Sequence, residues 1–213
     1  VIGREHGKTI ADAKGELGRA IEGIEFAVNA PHVTKGEFAT NVGGDIDVFS
    51  MRTPIGVVGA ITPFNFPIAI PAWKIAPALV YGNAVVWKPA STVPLLAMRL
   101  AQALTQAGLP AGVLGLLVGG TDVGDAIVGH PGIDALTFTG STGVGRRIAA
   151  AAAARGIPAQ AEMGGKNAAV VLDDADLDLA VDQVMAGAFR STGQKCTATS
   201  RLIVTDGIAD RFL

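Results

Sequence analysis

The chain has one cysteine in 213 residues, Cys196. That excludes a disulfide within it and fits a reducing compartment, the cytoplasm. Its three histidines, His6, His32 and His130, are scattered without ligand spacing, which argues against a metal site. Charged residues make up only 17% of the chain and the net charge is −2. With no basic patch to track a phosphate backbone, nucleic acid is not an expected partner. No stretch approaches the roughly 20 uninterrupted apolar residues of a membrane span; the small-residue run Ile148–Ala154 is too short and reads as helix. The residues from Val1 onward carry no signal-peptide pattern. The dinucleotide fingerprint Gly-x-Gly-x-x-Gly is missing as well: Gly143-Val144-Gly145 begins it, but Ile148 stands at the third position. Gly7-Lys8-Thr9 resembles the tail of a phosphate loop, yet Ile2 stands where glycine is required and no strand precedes it.

What is present is an apolar fraction of 49%, in keeping with a soluble enzyme core, and a regular alternation. Strand-like runs cover 55–61, 84–88, 113–118, 134–139 and 159–162. Helical patterns lie between them near 67–80, 94–107, 122–129 and 142–155. Alternating strands and helices imply right-handed crossovers and a parallel sheet, so the expected fold is α/β and Rossmann-like with flanking helices. Such sheets bind ligands at the carboxyl ends of their strands. Asn65, Lys88, Gly140, Ser141 and Glu162 all fall there. Ahead of this core, Ile10, Leu17, Ile21, Ile24 and Val28 recur at helical spacing.

Cys196 follows the glycine-containing run Ser191-Thr192-Gly193-Gln194-Lys195. A thiolate on a tight turn can reach a substrate; a free cysteine is also often a small buried hydrophobe. Gly140-Ser141-Thr142-Gly143-Val144-Gly145 turns from a strand into a helix. It reads equally as an anion cradle or as a helix start capped by serine.

Four segments, Pro63-Phe64-Asn65-Phe66-Pro67, Phe138-Thr139-Gly140-Ser141-Thr142, Glu162-Met163-Gly164-Gly165-Lys166 and Gly193-Gln194-Lys195-Cys196, resemble the motif set of the aldehyde dehydrogenase superfamily, in its order and close to its spacing. The resemblance implies that Cys196 attacks an aldehyde to give a thiohemiacetal, that the Asn65 amide and the Cys196 N–H hold the oxyanion, and that hydride transfer leaves a thioester. Glu162 would activate the water that hydrolyses it, with burial expected to raise its pKa toward the working range. Lys166 is read as structural. For the cofactor, NADP or NAD, the family uses Ser141 at the pyrophosphate and Val144 near the adenine. In the family a lysine at the position of Lys88 reaches the adenine ribose, and the resemblance adds Ile61, Thr62, Pro63 and Phe64 at the end of the first strand. Gly120, Phe138, Gly140 and Gly164 complete that surface. Members preferring NAD commonly carry glutamate at the position of Ser91; serine removes a carboxylate that would repel a 2′-phosphate, so NADP is favoured.

For substrate, the run Pro67–Lys74 resembles bacterial 2-oxoglutarate-semialdehyde dehydrogenases, which points to a semialdehyde acid. Arg190 stands six residues before the cysteine, where succinate-semialdehyde dehydrogenases place a carboxylate-binding arginine; a surface salt bridge is the other reading. Their second arginine is replaced by Trp73. Phe66 is assigned to the substrate side. The opening half is also similar to CoA-acylating methylmalonate-semialdehyde dehydrogenases, but those lack a glutamate at the position of Glu162. The resemblance implies that residues 36–54 form a protruding hairpin for homo-oligomer formation, 1–35 with 55–163 the dinucleotide-binding domain, and 164–213 the start of a catalytic domain. The chain opens inside a helical pattern and closes at Asp210-Arg211-Phe212-Leu213 as another begins. It is therefore expected to be an interior fragment, active or a catalytically inactive nucleotide-binding unit.

Overall fold

The computed structural model describes residues 1–212; Leu213 lies outside them. Two helices open the chain, α1 (Ile2–His6) and α2 (Ile10–Val33). They are separate because Gly7 adopts φ 88° and the Thr9 hydroxyl caps α2 by accepting from Asp12 N at 3.1 Å. Of the periodic residues of α2, Ile24 packs partly buried against the core, but Ile10, Leu17, Ile21 and Val28 are exposed, while Glu16, Ala20, Ala27 and Ala30 are buried. Small residues line the contact because α2 packs closely on α3 (Ala69–Val80), where the Trp73 ring occupies the space beside Gly23.

β1 (Phe38–Gly43) and β2 (Ile46–Phe49) pair antiparallel. Gly44 and Asp45 turn between them with φ 51° and 66°, the handedness a tight hairpin requires. Every residue of both strands is exposed.

The central sheet is parallel, built from β3 (Val57–Ile61), β4 (Ala84–Lys88), β5 (Leu114–Leu116), β6 (Ala135–Gly140) and β7 (Ala159–Met163). Helices α3, α4 (Pro94–Gln106), α5 (Thr121–Gly129) and α6 (Thr142–Arg155) make the crossovers. The spatial order is β5-β4-β3-β6-β7. Alternation along each strand feeds two cores. On one face Val58, Ala60, Val85 and Trp87 meet Ile75 and Ala97 of α3 and α4. On the other Leu136 and Phe138 meet Ile127, Ile148 and Ala152 of α5 and α6.

The chain then forms β8 (Asn167–Val171), α7 (Leu177–Phe189), a short 3-10 turn Arg190–Gly193, β9 (Thr199–Val204) and α8 (Asp206–Phe212). β8 and β9 pair parallel in a sheet of their own. Val170, Leu179, Met185 and Phe189 of this region are exposed.

Candidate active site

Chain order runs β3, β4, β5 toward one edge and β6, β7 toward the other, so direction reverses between β3 and β6. At such a point the loops leaving two neighbouring strands diverge and open a crevice. A cavity of about 560 Å³ lies there. It is bordered by Ile61 at the end of β3, by Thr62, Pro63, Phe64 and Asn65 after it, and by Lys88 at the end of β4. Phe138, Gly140, Ser141 and Val144 border it at the β6–α6 turn, with Gly164 and Cys196 opposite. A second cavity of about 380 Å³ continues past Lys88 and Val144 to Ser91 and Gly120. A third, of about 450 Å³, holds Glu162, Lys74, Gln160 and Trp73. Cys196 lines both the first and the third. One thiol thus stands where two chambers meet.

The β6–α6 turn presents free backbone donors. Ser141 is the N-cap of α6 but its side chain makes no capping bond, so the turn is not held by an ordinary capping serine and the first amides of α6 stay open. Gly140 and Gly145 answer to packing: a Cβ on Gly140 would lie 2.5 Å from Phe138 Cζ, and one on Gly145 2.6 Å from Met163 Sδ. The Lys88 ammonium is buried and donates to Pro89 O at 3.1 Å. Burial lowers its pKa, and the Asp122 charge partly raises it again. An open helix start, a close-packed glycine turn and a buried cation suit a dinucleotide diphosphate.

Cys196 is exposed, so the buried-hydrophobe alternative does not describe it. Two asparagines hold its loop. Asn65 Nδ2 donates to Gln194 O at 2.7 Å; Asn167 Nδ2 donates to Cys196 O at 2.6 Å and Ala198 O at 3.2 Å. Before the thiol, Ser191 and Thr192 take φ 52° and 62°, a left-handed run that costs about 1–3 kcal/mol per residue outside glycine. The Ser191 N–H donates to Asp12 Oδ2 at 3.1 Å, which helps tie the turn to α2.

Glu162 is the last but one residue of β7 and opens into the third cavity. It is exposed, so the burial expected for it is not found. Neither Phe66 nor Arg190 reaches the three chambers. The Phe66 ring turns toward the first helices, with Lys8 Nζ 3.8 Å from its centroid. Arg190 lines a separate groove between α2 and α7 with Asp12 and Met185. Lys166 contributes only its carbonyl, to Arg201 Nε at 3.0 Å.

Sequence reasoning missed Lys74 and Gln160. Lys74 Nζ donates to Gln160 Oε1 at 2.7 Å and Thr137 Oγ1 at 2.8 Å. Its burial lowers the pKa to about 8, against the raising pull of Glu162. A lone lysine inside the apolar helix Ala69–Val80 was the available signal. Gln160 was marked only by its i, i+2 spacing from Glu162.

Residues 1–213 match the Aldehyde dehydrogenase family in full. The chain belongs to the aldehyde dehydrogenase family. It is 51% identical over 210 residues to the alpha-ketoglutaric semialdehyde dehydrogenase of Bacillus subtilis (strain 168), covering 98% of this chain and 43% of that protein. The crystal structure of a methylmalonate-semialdehyde dehydrogenase from Oceanimonas doudoroffii superposes with a TM-score of 0.95 at 43% identity, covering 99% of this chain and 43% of that one. An NADP-dependent glyceraldehyde-3-phosphate dehydrogenase from Bacillus halodurans C-125, complexed with NADP, gives 0.93 at 42% identity, covering 99% and 45%. Another matched structure holds NAD. The chain thus spans less than half the length of the aldehyde dehydrogenases it matches.

Proposed function

We propose that the protein serves the NAD(P)-dependent oxidation of an aldehyde, a semialdehyde acid, to a carboxylic acid. The observation that carries this reading is the single thiol at the meeting of two chambers, with the Lys88–Ser141 crevice on one side and Glu162 on the other. A nicotinamide held in the Lys88–Ser141 crevice would supply the hydride acceptor. Cys196 Sγ adds to the aldehyde carbon, and the oxyanion faces the Cys196 N–H and the second proton of the Asn65 amide, whose first is held by Gln194 O. Loss of hydride leaves a thioester on Sγ. Glu162 takes a proton from water, whose oxygen bonds to the acyl carbon as the C–S bond breaks. The names of the matched semialdehyde dehydrogenases support the substrate class.

A second reading, transfer of the acyl group to CoA, draws support from the likeness to the methylmalonate-semialdehyde enzyme; Glu162 favours water. The test is aldehyde-dependent NAD(P)H formation with 2-oxoglutarate semialdehyde and malonate semialdehyde, with and without CoA. Cys196→Ser should abolish it. Glu162→Gln should slow turnover about 10²–10⁴-fold while a first equivalent of NAD(P)H still forms. A strict CoA requirement would transfer the assignment to the second reading. Nucleotide binding without turnover would leave this chain as a binding unit only.

A further inference from the structure

Side chains alternate along β7. Ala161 and Met163 join the core beneath α5 and α6, so Gln160 and Glu162 share the opposite face, toward α3. Thr137 and Thr139 of β6 stand in register beside them, and Lys74 reaches in from α3. Lys74 Nζ donates to Thr137 Oγ1, Gln160 Oε1 and, at 3.3 Å, to Phe138 O. Each of its three protons therefore has an acceptor. Thr137 donates its own proton to Gln160 Oε1 at 2.6 Å. Two donors saturate that amide oxygen, and the Gln160 NH₂ is left to donate to Glu162 Oε1 at 3.3 Å. Turning the amide over would set its NH₂ against an ammonium and a hydroxyl proton, so its neighbours decide which end faces Glu162.

We infer that Gln160 is the positioning residue of the hydrolytic step, holding the Glu162 carboxylate toward the water that attacks the Cys196 thioester. This rests on the reading of Glu162 as general base. The physical sense lies in what the amide keeps apart. A cation in direct contact with a carboxylate favours its charged form and makes it a poorer base. A neutral amide between them passes on the orientation fixed by Lys74 and Thr137 without placing the ammonium on the base. Its single long bond aims Glu162 and leaves the remaining lone pairs for water.

The experiment uses p-nitrophenyl acetate, which reaches the acyl-enzyme without cofactor or hydride transfer. Cys196 Sγ bonds to the acetyl carbon and p-nitrophenolate departs in a burst. Water then replaces Sγ, its proton passing to Glu162, and steady p-nitrophenolate release reads that hydrolysis. Gln160→Leu removes the whole bridge. Gln160→Glu keeps an oxygen for Lys74 and Thr137 but has no proton for Glu162. Both variants should keep the burst, Gln160→Glu should keep the melting temperature, and both should lose about tenfold to a hundredfold in the steady rate. Unchanged hydrolysis in Gln160→Glu, or burst and steady rate falling together, would overturn the inference. If Glu162→Gln halts hydrolysis while both Gln160 variants retain it, only the positioning role falls. If Glu162→Gln hydrolyses normally, or the unmodified chain gives no burst, the reading beneath it falls instead.

Discussion

Ser91 is exposed on the 380 Å³ chamber beyond Lys88, with no carboxylate at its own position. Ser91→Glu would place a negative charge beside the site expected for a 2′-phosphate. The preference between NADP and NAD should then move toward NAD by about tenfold or more, as two like charges near a protein surface repel by a few kcal/mol; calorimetric titration with each nucleotide checks it. Lys74 offers a pH dependence with a definite sign. Its pKa falls from 10.5 to about 8 on folding, so between those values the unfolded chain holds a proton that the folded chain has released. Stability attributable to Lys74 should rise with pH across that window, and the cost of burying its ammonium should be present in full below about 8. Urea midpoints of the wild type and Lys74→Met, followed from pH 7 to 10.5, should converge as pH rises. A constant gap would remove the assignment. Lys74 and Gln160 were hidden in the sequence because their meeting depends on the registry of β6 with β7 and the seating of α3 on the sheet. The turn residues around Asn65 and Gly140 were legible because local backbone chemistry defines them. Phe66 was legible as a motif member but not in direction, since its neighbours in a tight turn point to different sides.

Helix α3 begins just past Asn65, and a buried carboxylate on another helix determines where it begins. Glu16 Oε1 accepts from Ile68 N at 2.8 Å and Ala69 N at 3.3 Å, while Oε2 receives Lys8 Nζ at 2.6 Å. Both side chains of the pair are fully buried. Glu16→Gln would leave Lys8 charged in the interior without its counter-charge, and should cost about 3–5 kcal/mol in urea unfolding. A loss below about 1 kcal/mol would show that water reaches Lys8. The helices and strands of the central sheet were legible as elements, since each carries its own period and its own punctuation. Helix α2 was legible as a helix but not in orientation: Ile10, Leu17, Ile21, Phe26 and Val28 are exposed and Ala20, Ala27 and Ala30 buried, because close approach to α3 selects for small size over apolarity.

At the scale of the molecule, the alternation of strands and helices announced a parallel sheet, whereas the order β5-β4-β3-β6-β7 depends on contacts far apart in the chain. The β1–β2 hairpin stands out from that body with Phe38, Phe49 and Met51 between 64 and 75% exposed. An apolar ribbon with unpaired edges invites association. Phe38→Ser with Phe49→Ser should shift sedimentation velocity toward the smallest species and raise solubility; an unchanged distribution would free the hairpin of that role. The lone thiol has a consequence in oxidative chemistry. A thiolate exposed to solvent is open to peroxide, and a sulfenic acid on Cys196 would find no second cysteine among these 213 residues to condense with. Recovery would need a thiol from beyond these residues, and delay would carry the sulfur on to the sulfinic state, which ordinary thiols do not reverse.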